Sequence, residues 1–121
     1  MDIYFKYKKL QKACNNERES VKEWGHEIAK KVRQRLSELR AAVCLSDISH
    51  LPPPRLHELS GNRQGQYAVD LLHPYRLIFI PAHKPIPIKS DGGIDVSEVT
   101  AILIIEVEDY HGKDNKRRGR K

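Results

Sequence analysis

Residues 55–79 read RLHELSGNRQGQYAVDLLHPYRLIF, and this stretch contains the pattern that decides the fold. Apolar side chains alternate with polar or small ones over Gln66–Leu72, and a second alternating run, Tyr75–Ile80, follows the turn at His73-Pro74. Two alternating runs joined by a short turn predict an antiparallel β-hairpin. Because successive side chains of a strand point to opposite faces, Arg76 is expected to point across one face of the sheet.

The N-terminal third is helical in pattern. Asp2–Phe5 has the composition of a short edge strand, and the sequence from Lys6 to Asn16 predicts a first helix. A second helix follows, with a capping box supplied by Asn16 or by Ser20. Its apolar stripe consists of Val21, Trp24, Ile28, Val32, Leu36, Leu39 and Val43. Its opposite, polar face carries Lys22, Glu27, Lys30, Lys31, Arg33, Arg35 and Arg40.

The rest of the chain completes a small sheet. Pro52-Pro53-Pro54 excludes a helix or a central strand there. Pro81–Val96, with three prolines and Gly92-Gly93, is expected to be irregular, whereas Thr100–Val107 is a β-branched apolar run typical of a strand buried on both faces. The order β-α-α-β-β-β predicts an α+β fold, with two helices packed on one face of a mainly antiparallel sheet. The other face is left open for function.

Charge is distributed unevenly along the chain. The formal net charge is +6, but residues 113–121 hold six basic side chains and one acidic one, while the other 112 residues hold 16 basic and 15 acidic side chains. We therefore expect one domain, residues 1–112, and a disordered basic tail, residues 113–121, that either adds solubility or attracts nucleic-acid phosphate.

Several classes of protein are not favoured by the sequence. No run approaches a membrane span and the N-terminus lacks the apolar segment of a signal peptide, so we expect a cytoplasmic protein with no membrane partner. Cys14 and Cys44 lie outside any CxxC pair and are expected to be reduced, buried thiols. The sequence has no Gly-rich phosphate loop, and neither a metal nor a cofactor is expected.

The residues suited to chemistry point to RNA cleavage. Metal-independent cleavage needs a base for the 2′-hydroxyl, a cation for the phosphorane and an acid for the leaving oxygen. His57 follows the rigid triproline, Arg63 lies in a Gly-containing turn, and Arg76 lies in the hairpin. Residues 109–111, Asp-Tyr-His, end the last strand, where regular pleating places Asp109 on the face opposite to Tyr110.

Each of these residues also has a plainer interpretation. A lone histidine is usually structural, and Arg76 is expected to pair with Asp70 or Glu106 if it only stabilises the sheet. The basic face of the second helix, with Lys30 and Arg33, is either a solvated face or a ridge that binds RNA phosphate. Composition and spacing alone therefore favour a ribonuclease only weakly.

A resemblance to a known family sharpens this hypothesis. The segment LHELSGNRQGQYAVDL, the strand HPYRLIF and the run VTAILIIEVEDYH together closely resemble the RelE/ParE superfamily of bacterial toxins, within it the HigB-like (host inhibition of growth) branch. The resemblance covers residues 1–112. Its specific parts are the glycine turn with Arg63, the Tyr-Arg-x-x-Phe strand at Tyr75–Phe79, and the final Asp-Tyr-His.

The resemblance implies a RelE-like fold and a toxin of a type II toxin-antitoxin system. Such a toxin is a ribosome-dependent endoribonuclease: it enters the ribosomal A site and cleaves mRNA by attack of the 2′-hydroxyl on the scissile phosphate. The resemblance also implies a hetero-oligomer with a HigA-like antitoxin of helix-turn-helix fold. Its catalytic positions match His57, Arg76, Asp109, Tyr110 and His111. Either histidine is then the acid or the base, Tyr110 stacks on a base or orients the site, and Arg63 joins Arg76 on the phosphate.

The chain departs from the family in places. Ser60 stands where the family's turn often carries lysine, Pro81–Val96 is longer than in short members, and the basic tail extends past the usual end. Two alternative functions share the fold: a ParE-like gyrase poison without nuclease activity, and an inactive module that binds RNA or an antitoxin. His57 together with residues 109–111 favours the nuclease, because a gyrase poison has no need of that set.

Overall fold

The computed structural model describes residues 1–110. The two helices are α1 (Lys8–Asn15) and α2 (Glu17–Ala41). The strands are β1 (Asp2–Phe5), β2 (His57–Glu58), β3 (Tyr67–Asp70), β4 (Tyr75–Pro81) and β5 (Ala101–Asp109). They form one sheet in the order β1-β5-β4-β3-β2, in which only the β1–β5 pair is parallel. The expected α+β fold is confirmed, and the sheet gains the two-residue strand β2.

The helices cover one face of the sheet. The core between them contains Leu36 and Leu39 of α2, Phe79 of β4, and Ile102 and Ile104 of β5, all fully buried. A separate, smaller cluster lies on the opposite face and contains Leu59, Ala68 and Ile78, with Ile105 packed against it. We call this second side of the sheet the open face.

Two features of α2 differ from the expected single apolar helix. Gly25 has φ +83° and ψ 167°, so the helix is interrupted there. Glycine, without a Cβ, adopts this positive φ at little steric cost. The helix also ends at Ala41, so Val43 lies beyond it with its side chain 76% exposed. Of the two possible caps, Asn16 is used: its side chain accepts from the Glu19 backbone N–H at 3.0 Å.

Arg35 was expected on the solvated face of α2 but is 2% exposed. Its Nε donates to the Asp70 carbonyl at 2.7 Å, its Nη2 donates to the Pro53 carbonyl at 3.2 Å, and its Nη1 pairs with Glu38 at 3.3 Å. A buried guanidinium is tolerated because these acceptors satisfy its donors. Arg35 therefore ties α2 to the triproline loop and to the end of β3.

The excursion between β4 and β5 contains a bridge between Ile88 and Ile94 and a short 3-10 helix, Val96–Glu98. It leaves the sheet at Pro81, the end of β4 opposite to Tyr75. None of the helices within residues 1–110 is long and apolar enough to cross a membrane. The predicted tail at residues 113–121 and His111 lie outside the described residues.

We predict that Arg35→Ala lowers the free energy of unfolding by about 3 kcal/mol, because it leaves two backbone carbonyls and a carboxylate without their donor and opens a cavity. Arg33→Ala is the matched control: Arg33 is exposed on the same helix, and its loss should change stability by less than about 0.5 kcal/mol. Urea unfolding measured by circular dichroism checks both values. Equal values for the two variants would contradict this role of Arg35.

Candidate functional site

The strand register arranges the open-face side chains in two rows. The first row runs across the sheet through His57, Ala68, Ile78 and Glu106. The second row runs through Asp70, Arg76 and Glu108. Residues paired across antiparallel strands project to the same side, and rows two residues apart along a strand lie about 7 Å from each other. His57 and Arg76 therefore face the same side of the sheet, one row apart along the strands and two strands apart across them.

A β-bulge in β5 is what brings the glutamates to this face. Phe79 pairs with Ile104, whereas the preceding residue Ile78 pairs with Glu106, so Ile105 is an extra residue. Strict alternation from the buried Ile104 would turn Glu106 toward the helices. The extra residue reverses the alternation, so Glu106, Glu108 and Tyr110 face the open side.

Arg76 is the central cation of the second row. Its Nε donates to the Glu108 carboxylate at 2.6 Å, and the two side chains are only 14% and 11% exposed. Arg76 does form a salt bridge, as its plainer interpretation expects. Its partner, however, is Glu108 and not Asp70 or Glu106. Asp70, although directly across the strand from Arg76, binds another arginine.

Tyr110 covers the Arg76 guanidinium. The carbon of that group lies 4.5 Å from the centre of the Tyr110 ring, and the ring is 44% exposed. The Tyr110 backbone N–H donates to the Pro74 carbonyl at 3.1 Å, which holds the strand end against the β3–β4 turn. Asp109 pairs with Tyr75 and so points to the other side, as regular pleating predicts. The structure therefore brings together Arg76 and Tyr110 but not Asp109.

His57 lies on the edge strand β2 and is half-buried. Its Nδ1 is 2.8 Å from the Arg55 carbonyl oxygen. Since a carbonyl can only accept, Nδ1 carries the proton, and in the neutral ring Nε2 keeps its lone pair. His57 is thus arranged as a proton acceptor at Nε2.

Arg63 belongs to a short 3-10 turn, Gly61–Arg63, and its guanidinium pairs with Glu106 of the first row. Its Nε is buried and without a hydrogen-bond partner among the described residues. Arg63 is 23% exposed, so its cation borders the open face and does not extend into solvent. Arg63, predicted as a phosphate ligand, therefore lies beside the open face and already pairs with a carboxylate.

A hollow of about 570 Å³ opens where β3 turns into β4. Its basic lining residues are Lys31, Arg35, Arg55, His73 and Arg76, and Tyr110 also lines it. Lys30 and Arg33, the predicted phosphate ligands of α2, are exposed and are not among its lining residues. Lys31 and Arg35, one helical turn apart, occupy the side of α2 that borders the hollow.

Sequence reasoning missed Arg55. Its side chain forms a two-point pair with Asp70, Nε to Oδ2 at 2.6 Å and Nη2 to Oδ1 at 3.0 Å. A signal was present, because Arg55 directly follows the triproline and lies two residues before His57. Within residues 1–110, no group of three or more His, Cys, Asp or Glu side chains is arranged to hold a metal ion.

Glu58, next to His57, anchors the edge strand. Its carboxylate accepts from the Gly65 backbone N–H at 3.2 Å and from the Tyr67 hydroxyl at 3.5 Å. Burial, together with the negative charge of Glu58, raises the pKa of Tyr67 from 10.0 to about 12. The neutral phenol is therefore the form that the folded state favours.

We predict that Tyr67 ionises near pH 12 in the folded chain. The difference between the phenolate absorbance of the native protein and that of Tyr67→Phe, titrated with alkali while circular dichroism reports folding, isolates this one group. Since the folded pKa is raised, the stabilisation is complete below pH 10 and is lost as the pH rises toward 12. A difference titration centred near pH 10 would show that the burial and the Glu58 contact are absent.

No known protein-family model matches the sequence, and no curated protein matches it. Solved structures do match. The YoeB-YefM complex from Staphylococcus aureus is 13% identical, with a TM-score of 0.51, over 89% of this chain and 94% of that one. The YoeB/ParE toxin from Agrobacterium tumefaciens is 8% identical, with a TM-score of 0.51, over 90% and 98% of the two chains. The chain thus has the fold of YoeB/ParE-type toxins along nearly its whole length.

Proposed function

We propose that this chain is the toxin of a type II toxin-antitoxin system, of the HigB-like branch of the RelE/ParE superfamily, and that it cleaves mRNA on the ribosome. The shared toxin fold supports the class of protein. The observation that carries the nuclease activity is the Arg76 guanidinium stacked beneath Tyr110 on the face that the helices leave open, which also carries His57 two strands away. A fold by itself does not assign a reaction, whereas the side chains of this site do point to one.

Arg76 is the residue that binds the scissile phosphate. A guanidinium has five N–H donors in a planar fork, and the bond to Glu108 uses the one on Nε. The Nη groups can then donate to two phosphate oxygens and balance the charge that develops as the phosphorane forms. The exposed ring of Tyr110 offers a surface on which an RNA base stacks.

His57 is the general base. Nε2 takes the proton of the 2′-hydroxyl as the 2′-oxygen bonds to phosphorus, and the bond to the 5′-oxygen breaks. The products are a 2′,3′-cyclic phosphate and a 5′-hydroxyl end, once an acid has protonated the leaving oxygen. The family resemblance makes His111 the second proton-transfer candidate, so with His57 as the base His111 is the acid, and Asp109 belongs to the same cluster by that resemblance alone. No metal ion takes part in this scheme.

The charge balance of the site supports dependence on the ribosome. Glu108, Glu106 and Asp70 each neutralise one arginine of the open face, so the isolated protein attracts RNA weakly. The ribosome would supply the alignment of the 2′-oxygen with the phosphate. We also propose a cytoplasmic hetero-oligomer with an antitoxin of helix-turn-helix fold; the matched YoeB structure is itself a complex.

We predict that His57→Ala relieves growth arrest and lowers mRNA cleavage by about 10²–10⁴-fold, the usual contribution of a general acid or base. His26→Ala is the matched control, since His26 is exposed in α2, well separated in sequence from the hairpin. Mapping of 5′ ends of cellular mRNA, with and without expression of the chain, measures cleavage.

Growth arrest without new mRNA 5′ ends would contradict the nuclease assignment. If the arrest were then accompanied by inhibition of DNA supercoiling, the gyrase-poison alternative would hold. Unchanged arrest in His57→Ala would contradict the assignment of the base.

A further inference from the structure

Arg55 lies at the rim of the hollow that contains Arg76. It is 46% exposed, whereas Arg76 is 14% exposed and lies deeper, beneath Tyr110. Both guanidinium groups line the same hollow, together with Lys31 from α2. The volume of about 570 Å³ exceeds what one phosphate group needs, so the hollow can hold more of an RNA strand than the scissile phosphate.

The backbone at Arg55 is held in an unusual conformation. Its φ is +48°, the only positive value at a non-glycine residue among the described residues. This left-handed region is unfavourable for a residue with a Cβ, and such strain is common at functional sites. The Arg55 N–H donates to the Leu51 carbonyl at 3.0 Å, and the triproline between them stiffens the loop. The loop thereby aims Arg55 toward Asp70 while its carbonyl accepts from His57.

Asp70 binds the Arg55 guanidinium at two points. Its two oxygens accept from Nε and Nη2 of Arg55, the two-point geometry in which a guanidinium also binds phosphate oxygens. The pair is partly exposed, with side chains 46% and 33% exposed, so its contribution to stability is small and an anion in solvent can reach it. In contrast, Arg35 of the same hollow is buried and its donors are used by backbone carbonyls and Glu38.

We propose that Arg55 binds an RNA phosphate adjacent to the scissile one, and that Asp70 holds its guanidinium in the binding geometry until RNA replaces the carboxylate. Asp70 lies directly across from Arg76, which is proposed to bind the scissile phosphate. Because Arg55 pairs with Asp70, Arg55 is the next cation along the second row, on the side of Asp70 away from Arg76. Lys31 completes this second phosphate subsite from the helix side. The inference rests on the proposed function, because the phosphate that Arg55 binds belongs to the nucleotide next to the cleavage position in the same RNA substrate.

The test measures binding of a single-stranded RNA whose 2′-hydroxyls are methylated, so that it is bound but not cleaved. Fluorescence anisotropy over a series of salt concentrations gives the affinity of the full chain and the slope of log K against log salt. Arg55→Gln should weaken binding at low salt about tenfold and reduce the magnitude of the slope by about 0.7, the value for one phosphate contact on a single strand. Arg18→Gln removes one exposed charge from the first turn of α2 and is the matched control.

Two further variants separate a contact from a general charge effect. Arg55→Lys should restore the salt slope but not the full affinity, because lysine keeps the charge without the planar fork. Asp70→Asn should strengthen binding more than Asp91→Asn, which removes an exposed carboxylate from the excursion, and the gain should vanish in the Arg55→Gln background.

Equal slopes for Arg55→Gln and Arg18→Gln would overturn the second subsite, while mRNA cleavage that depends on His57 would still support the proposed function. If the wild-type chain bound neither this RNA nor ribosome-associated mRNA, both proposals would fail. Circular dichroism of each variant confirms that a loss of binding is not a loss of fold.

Discussion

The bulge at Ile105 is the constraint on which the site depends. β5 must bury Ile102 and Ile104 beneath the helices, yet the same strand must carry Glu106 and Glu108 on the other side, with Tyr110 just beyond its end. In a regular strand every second side chain points to the same face, so residues 102, 104, 106 and 108 would all lie on one side of the sheet. One extra residue reverses the alternation midway. The first half of β5 thus contributes to the core and the second half to the open face.

This arrangement explains why the open face carries many charged side chains but little net charge. The bulge places each glutamate opposite β4 or beside the Gly61–Arg63 turn, where it meets an arginine. Removing either partner of the Arg76–Glu108 pair would leave a largely desolvated charge, so each side chain depends on the other for its place in the sheet. An anion that binds these arginines must compete with carboxylates that are already positioned.

The likeness to YoeB and ParE-type toxin structures at 8% and 13% identity follows from what the fold requires. Two amphipathic helices, a hairpin and one apolar strand specify the layers, and many different apolar side chains can fill the core between them. The residues of the open face are free of that requirement. The fold and the chemistry can therefore vary independently, and the chemistry has to be argued from the hollow around Arg76.

The sequence alone determined the layers, because apolar periodicity reports which face of each element is buried: the hairpin, both helices and the last strand are where the pattern predicts them. It also determined that Arg76 and Ile78 share one face of the hairpin, while the structure showed that this is the open face. Only the tertiary structure decided that Arg35 is buried, that Glu108 is the partner of Arg76, and that Arg55 shares its hollow. These three facts depend on contacts between residues 15 to 35 positions apart, and on one bulge that no local pattern encodes. Side-chain pairing across a sheet is set by register, and register is a property of the assembled strands.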